Sequence, residues 1–373
     1  MTRLLITIKT LSPLYAGALK PYGSFLETRG EISGALLRGA VASRTLRDCA
    51  APELINNHEA CGVKDICPFY YLTTGVAFPT CAVADLTRPT EPPLRTMVTC
   101  NAPLEPFGKR YVNEGGGRYH SASMPRTRRM THVGINRRRE TAEQGLLYSV
   151  QAVVEGTQFI GCMAAPDSWD ERRVDEFKQL LESITRLGGE QTYGLGRVEI
   201  ELKEADGDEE DVPTRVGEFN KKLKEVWSNY GGENAPQGDY FTIDLLTPAL
   251  LTTPDGTPTV QLTADMLQAR AAELGFANLR VEQVCCPDDA GVARPLMFTA
   301  PITVAGWSEA WGLPKPPALA ATAGSVYVFR TDDISAWHDA LTQIEAHGIG
   351  ARREEGFGAV RVCDPFHREV EPQ

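Results

Sequence analysis

The chain has 373 residues, which sets an expectation of two or three domains, since one domain commonly takes about 100 to 200. Hydrophobic residues at 42% and charged residues at 23% exclude global disorder, and no apolar run approaches the roughly 18 residues that span a bilayer. A net charge of -11, from 38 Lys and Arg against 49 Asp and Glu, excludes a protein that coats nucleic acid with its whole surface.

The N-terminal residues lack the apolar stretch of a secretory signal, which predicts a cytoplasmic protein. Its nine cysteines are then expected as reduced thiols, not disulfides. The first element is a strand over 4–11, stopped by Ser12-Pro13. A loop punctuated by Gly17, Gly23, Gly30 and Gly34 leads into a helix over 35–47. Residues 49–145 are weakly periodic and rich in Pro, Gly, Cys and Arg, so they predict a large irregular insertion. Strand patterns return at 146–155 and 158–161.

Asp167-Ser168 reads as a cap for a helix over 169–187, with Val174, Phe177, Leu181 and Ile184 on one face. The helix stops at Gly188-Gly189, and a glycine loop through Gly194 and Gly196 enters a strand at 197–202. Residues 204–211 hold six acids in eight positions, a composition that cannot bury itself, and predict an acidic linker over 204–238. The last third repeats the plan: a strand at 240–246, a Pro-rich irregular middle, a strand at 326–330, a helix over 332–347, and a second glycine loop into a strand at Val360. The pattern Gly-apolar-Gly-x-Val occurs at Gly194 and again at Gly356, offset by 162 residues. Two domains of one type follow, 1–203 and 239–373.

Charge is unevenly placed. From Lys109 to Arg139 there are nine basic residues and one acid, Glu114, so this segment carries +8 and the remainder -19. Each Lys or Arg that meets a phosphate releases counterions and adds salt-dependent affinity. Tyr111, Tyr119 and His120 interleave with the arginines and suit stacking on unpaired bases. In the glycine loops, successive amides could form a concave anion site, or the glycines could merely allow a tight turn. Neither loop opens a helix after a strand, as a dinucleotide fingerprint must, and no Gly-Lys-Ser/Thr follows.

Several stretches together carry a resemblance: Gly34-Ala35-Leu36-Leu37-Arg38-Gly39-Ala40, Thr131-His132-Val133-Gly134-Ile135-Asn136-Arg137, Gly145 to Ser149, and both glycine loops. In these the chain resembles the RAMP superfamily of CRISPR effector proteins, most of all the five-prime-handle-capping subunit of type III-D complexes. The resemblance implies an α+β fold of two tandem ferredoxin-like (RRM-related) domains with the insertion in the first. It implies a CRISPR RNA-binding subunit that holds the 5′ repeat-derived handle, with Gly194 to Arg197 and Gly348 to Gly358 lying against the RNA or against the domain interface. Its partners would be that RNA, the large signalling subunit and the backbone RAMP subunits, with target RNA nearby. Related backbone subunits cut target RNA with an aspartate before the first helix. Here residues 16–33 contain only Glu27 and Glu31 as acids, so no cleavage is expected.

The expected RNA-binding residues are Arg126, Arg128, Arg129, His132, Asn136, Arg137, Arg138 and Arg139 on the basic segment and Arg38 at the first helix. Gly194, Gly196 and Arg197 are added from the first glycine loop, and Arg352, Arg353, Gly356 and Gly358 from the second. No cofactor is expected. Cys49, Cys61, Cys67 and Cys81 with His58 leave a zinc site open, although their spacings are not those of paired knuckles. Two rival readings remain. His120 and His132 among arginines could run acid-base cleavage of RNA, as in repeat-processing endoribonucleases of the superfamily. Alternatively the acidic surface and the stretch 287–317, with Trp307 and Trp311, could make the chain a scaffold for other subunits.

Overall fold

The computed structural model describes residues 2–17, 25–47, 49–54, 57–84, 94–95, 110–115, 118–121, 124–136, 138–205, 210–230, 237–287, 291–308 and 313–369. Expectations at Lys109, Arg137 and Trp311 lie outside these residues, as do the side chains of Tyr111, Tyr119, His120, Asn136 and Trp307.

The first half supplies β1 (Arg3–Thr10), α1 (Gly34–Thr45), α2 (Pro68–Thr73), β2 (Ala82–Val83), a long hairpin of β3 (Thr127–Asn136) and β4 (Thr141–Val153), then β5 (Gln158–Ala164), α3 (Glu171–Glu182) and β6 (Val198–Glu204). The second half supplies α4 (Val212–Tyr230), β7 (Asp239–Leu245), α5 (Ala264–Glu273), β8 (Glu282–Gln283), a hairpin of β9 (Pro301–Ser308) and β10 (Leu313–Ala321), then β11 (Val326–Thr331), α6 (Ile334–His347), β12 (Val360–Val362) and α7 (Phe366–Glu369).

Alternation in β1 puts Leu4, Ile6, Ile8 and Thr10 in the interior, the period of two that a half-buried strand requires. The strand pairs antiparallel with β6 on one side and β5 on the other, in the order β6-β1-β5-β2. In the second sheet the order is β8-β11-β7-β12, the same arrangement, with Met297–Phe298 added beside β11. Strand-helix-strand-strand-helix-strand with this order is the ferredoxin-like plan, and the chain carries it twice. In both copies the long hairpin leaves the sheet between its second and third strands.

Each sheet buries one face under its helices. Leu37 and Val41 of α1 and Phe177 and Leu181 of α3 cover Leu4, Ile6 and Ile8. Leu267 of α5 and Trp337, Leu341 and Ile344 of α6 cover Phe241, Ile243 and Phe329. Burying each such side chain contributes about 1.5–3 kcal/mol. Caps set the helix starts: the Leu36 N–H donates to Ser33 Oγ at 3.4 Å, and the Ala336 N–H donates to Asp333 Oδ1 at 3.1 Å. Helix α3 starts later than Asp167-Ser168 suggested, because Asp170 takes the Arg173 N–H at 2.9 Å.

Three sequence expectations need correction. The segment 49–145 is not uniformly an irregular insertion: Phe69, Leu72, Val76, Phe78 and Cys81 belong to the first core, and β2 completes the first sheet. The span 204–238 is not simply a linker, since α4 buries Val212 and Val216 in the second core. The Pro-rich middle of the second half is built around the hairpin of β9 and β10, paired from Pro301 with Ala321 to Ser308 with Leu313. Its prolines lie in a two-stranded ribbon where few ladder donors are needed. Among the described residues no helix is long and apolar enough to cross a membrane.

Candidate nucleic-acid interface

The two glycine loops have one backbone. Glu190 and Arg352 take the left-handed conformation at φ 56° and 57°, a single 3-10 turn follows each, and Gly194 and Gly356 return to it at φ 84° and 83°. The anchoring bonds also correspond. Gly196 N–H donates to Pro13 O at 2.8 Å and Leu187 N–H to Gly196 O at 2.8 Å, while Gly358 N–H donates to Pro248 O at 2.8 Å and Ile349 N–H to Gly358 O at 2.9 Å. Only glycine permits this crossing, because a Cβ at Gly196 would lie 2.1 Å from the Leu187 carbonyl oxygen. The amides of Gly194 and Gly356 donate inward as well, to Gln191 O and Arg353 O. The expected cradle of exposed amides is therefore not formed at these four glycines: they shape the turns, and their N–H groups bond to the protein.

The loops differ in what covers them. The second docks on the first domain, where a Cβ at Gly356 would meet the Phe78 carbonyl oxygen at 2.1 Å and the Gly34 Cα at 3.2 Å. Beside this joint Glu355 is buried, with Arg352 Nε at 3.1 Å, Arg352 Nη2 at 2.5 Å and Lys315 Nζ at 2.7 Å. Burial alone would raise the Glu355 carboxyl, but its bonds from Arg352 and Lys315 hold it below the usual carboxylate range. The Arg352 guanidinium also sits 4.9 Å from the Phe357 ring, and Arg353 donates to Gly350 O at 2.6 Å. Of the second loop's expected RNA contacts, Arg352 is thus held by Glu355 and Phe357 of its own loop, next to the joint, and Arg353 braces that loop through Gly350.

The first loop is open at the corresponding point, since a Cβ at Gly194 would have nothing within 4 Å. It lies against the ribbon of β3 and β4. The ribbon base packs through Val150 and Ala152 on Tyr15 and Leu195, with Met130 and Tyr148 alongside. Further out, His132 pairs in register with Tyr148, and their rings stack at 5.1 Å and 19°. Tyr193 of the loop reaches the same imidazole at 5.5 Å.

Along the ribbon and the first loop the structure exposes much of the expected basic set. Arg126, Arg128 and Arg129 are exposed on and just before β3, Arg138 and Arg139 are exposed at the turn into β4, and Arg197 is exposed at the end of the first loop. The ties of the β3 arginines to the protein are weak, which leaves them accessible. Arg128 approaches Glu155 at 3.6 Å with both side chains about half exposed, and Arg129 lies 5.1 Å from the Phe25 ring. Arg38 is placed differently: its guanidinium lies 5.2 Å from the Phe69 ring, and its Nε is buried without a hydrogen-bond partner.

Sequence reasoning missed Tyr148 and Tyr193. The available signal was an aromatic residue directly before a loop glycine and another at a ribbon position opposite His132. Among the described residues no group of three His, Cys, Asp or Glu could hold a metal ion. Cys81 is a core side chain, and His58 lies 5.2 Å from the Phe69 ring.

The family described as the RAMP superfamily matches residues 7–199, and the family described as CRISPR-associated protein (Cas_Cmr3) matches residues 117–363. No curated protein matches the chain. Among solved structures, a chain of the type III-B Cmr-beta complex bound to cognate target RNA and AMPPnP is similar at 12% identity and a TM-score of 0.39, over 87% of this chain and 86% of that one. A chain of the same complex bound to cognate target RNA gives 13% identity and a TM-score of 0.33, over 54% and 97%. A chain of a type IV-B CRISPR complex gives 15% identity and a TM-score of 0.29, over 56% and 96%.

Proposed function

This chain belongs to the RAMP superfamily and to the CRISPR-associated family Cas_Cmr3, and on that premise we propose that it is a non-catalytic subunit of a type III effector complex that holds the 5′ repeat-derived handle of the CRISPR RNA and caps one end of the assembly. The observation that carries this reading is the basic ribbon of β3 and β4 lying beside an open glycine loop on an otherwise acidic protein. Phosphates are drawn to the ribbon by Arg126, Arg128, Arg129, Arg138, Arg139 and Arg197, and no sequence preference is needed for that part of the affinity. The resemblance to a handle-capping subunit of type III-D complexes supplies the handle, the large signalling subunit and the first backbone subunit as partners. His132 lies in an aromatic stack, which suits contact with a base rather than proton transfer.

The test is a salt-series titration of the full chain with labelled repeat-derived RNA and a scrambled control, each sample then run on a denaturing gel. Handle-selective binding and intact RNA are expected. Replacing Arg126, Arg128 and Arg129 by Glu should weaken binding and flatten the dependence on log salt by about 0.7 for each phosphate no longer neutralised. An unchanged slope removes the ribbon from the site. A discrete cut that vanishes in His132→Ala would make the chain a processing nuclease.

A further inference from the structure

The two loops share a backbone but carry different residues at their crests. Tyr193 precedes the open Gly194, whereas at the matching position of the second loop Glu355 is buried in the joint between domains. The Tyr193 side chain is 60% exposed, unusual for an aromatic residue on a rigid turn. The turn itself is braced. Arg186 donates to Gln191 O at 3.1 Å, and Gln191 donates to Gly188 O at 2.8 Å. Tyr193 is therefore presented on a fixed backbone.

What it stands beside is also specific. The inner face of the ribbon runs from Val150, buried against Leu195, outward to the half-buried Tyr148 and His132. Where the small core under the ribbon ends, three rings continue it into solvent: Tyr148 stacked on His132, and Tyr193 tilted at 54° against the same imidazole. The Tyr148 hydroxyl is hydrogen-bonded to Tyr193, which with partial burial and the charge of Glu190 raises its pKa to about 12. The Tyr148 phenol is thus neutral at physiological pH.

We infer that Tyr193, backed by His132 and Tyr148, is a stacking platform for one unpaired nucleobase of the bound RNA, set beside the arginines that hold the flanking phosphates. The inference rests on the RNA-binding reading above and assigns a site to it. A base fits better than a phosphate at this point because the carboxylate of Glu190 acts on Tyr148 and repels an anion, whereas a ring face accepts any base. Arg197 follows four residues after Tyr193, and the exposed Arg128, four before His132, lies on the same face of the ribbon, so phosphates have cations on the strand and on the loop.

The experiment is a titration of the full chain, wild type, Tyr193→Ala and Tyr193→Phe, with repeat-derived RNA and with a set of the same RNAs each carrying one abasic nucleotide. Thermal melting of the three proteins shows that all are folded. Expected is a loss of about tenfold in affinity for Tyr193→Ala, within the range of one base-aromatic stack, with an unchanged salt slope because no phosphate contact is removed. Tyr193→Phe keeps the ring and should bind within about threefold of wild type. One abasic position should cost wild type a comparable factor and cost Tyr193→Ala nothing further, the signature of a single shared contact. Wild-type affinity in Tyr193→Ala, or abasic losses that simply add to it, would overturn the platform while leaving RNA binding by the ribbon intact. Failure of the wild type to bind the repeat RNA at any salt would overturn both.

Discussion

Gly194 and Gly356 have nearly the same φ and face different surroundings, so one substitution made at each separates strain from collision. An alanine at either position takes on a left-handed backbone that costs about 1–2 kcal/mol. At Gly194 the added methyl meets open space, whereas at Gly356 it would lie 2.1 Å from the Phe78 carbonyl oxygen. Urea unfolding should therefore show Gly194→Ala destabilised by about 1–2 kcal/mol and Gly356→Ala by clearly more. Equal losses would mean that the second loop does not press on the first domain. The glycines of both loops were legible in the sequence as a repeat, but which of their two uses holds was not. Glycine permits an exposed amide nest and a close crossing alike, and only the partners of the N–H groups distinguish them. The aromatic trio was hidden for a related reason: Tyr148 and Tyr193 lie on separate elements that meet only when the ribbon folds against the first loop.

At the scale of elements, β1, α1, α3, α6 and the strands after both glycine loops were readable because each obeys one period and has Gly or Pro near one of its ends. Helix α4 escaped because the acids before it dominate the local composition, although Val212, Val216 and Phe219 already follow helical spacing. The two-residue strand β2 is too short to show any period. What holds α4 is partly polar. Arg215, 2% exposed, donates from Nε to Val362 O at 3.0 Å and from Nη1 to Glu210 O at 2.6 Å, and pairs with Glu345. A second buried contact ties α7 to β7, with His367 Nε2 2.8 Å from Asp244 Oδ1. Burial disfavours the imidazolium, but the adjacent Asp244 carboxylate, helped by Asp364, outweighs it and raises the His367 pKa. The folded value thus exceeds the unfolded one near 6.5. This contact contributes its full stability below about pH 6.5 and loses it as pH rises through the folded value. Melting temperature followed from pH 6 upward should fall in wild type, and the His367→Gln variant should lack that part of the decline.

For the whole molecule, charge is divided by region: one segment of +8 on a chain that is otherwise -19. That division was fully legible, because charge is additive along a sequence. That the second loop, rather than the first, makes the joint between the domains was not, because it depends on carbonyl and Cα atoms of Phe78 and Gly34 meeting that loop. Two loops of one backbone shape have had different fates here, one consumed in holding the halves together and one left facing outward. A chain with both free would offer two equivalent ends and could be bridged by RNA into strings. With one consumed, the molecule has a direction and a valence of one. Titration of the full chain with repeat-derived RNA, at concentrations well above the dissociation constant, should therefore break at one RNA per chain, and light scattering of the saturated mixture should show no larger species.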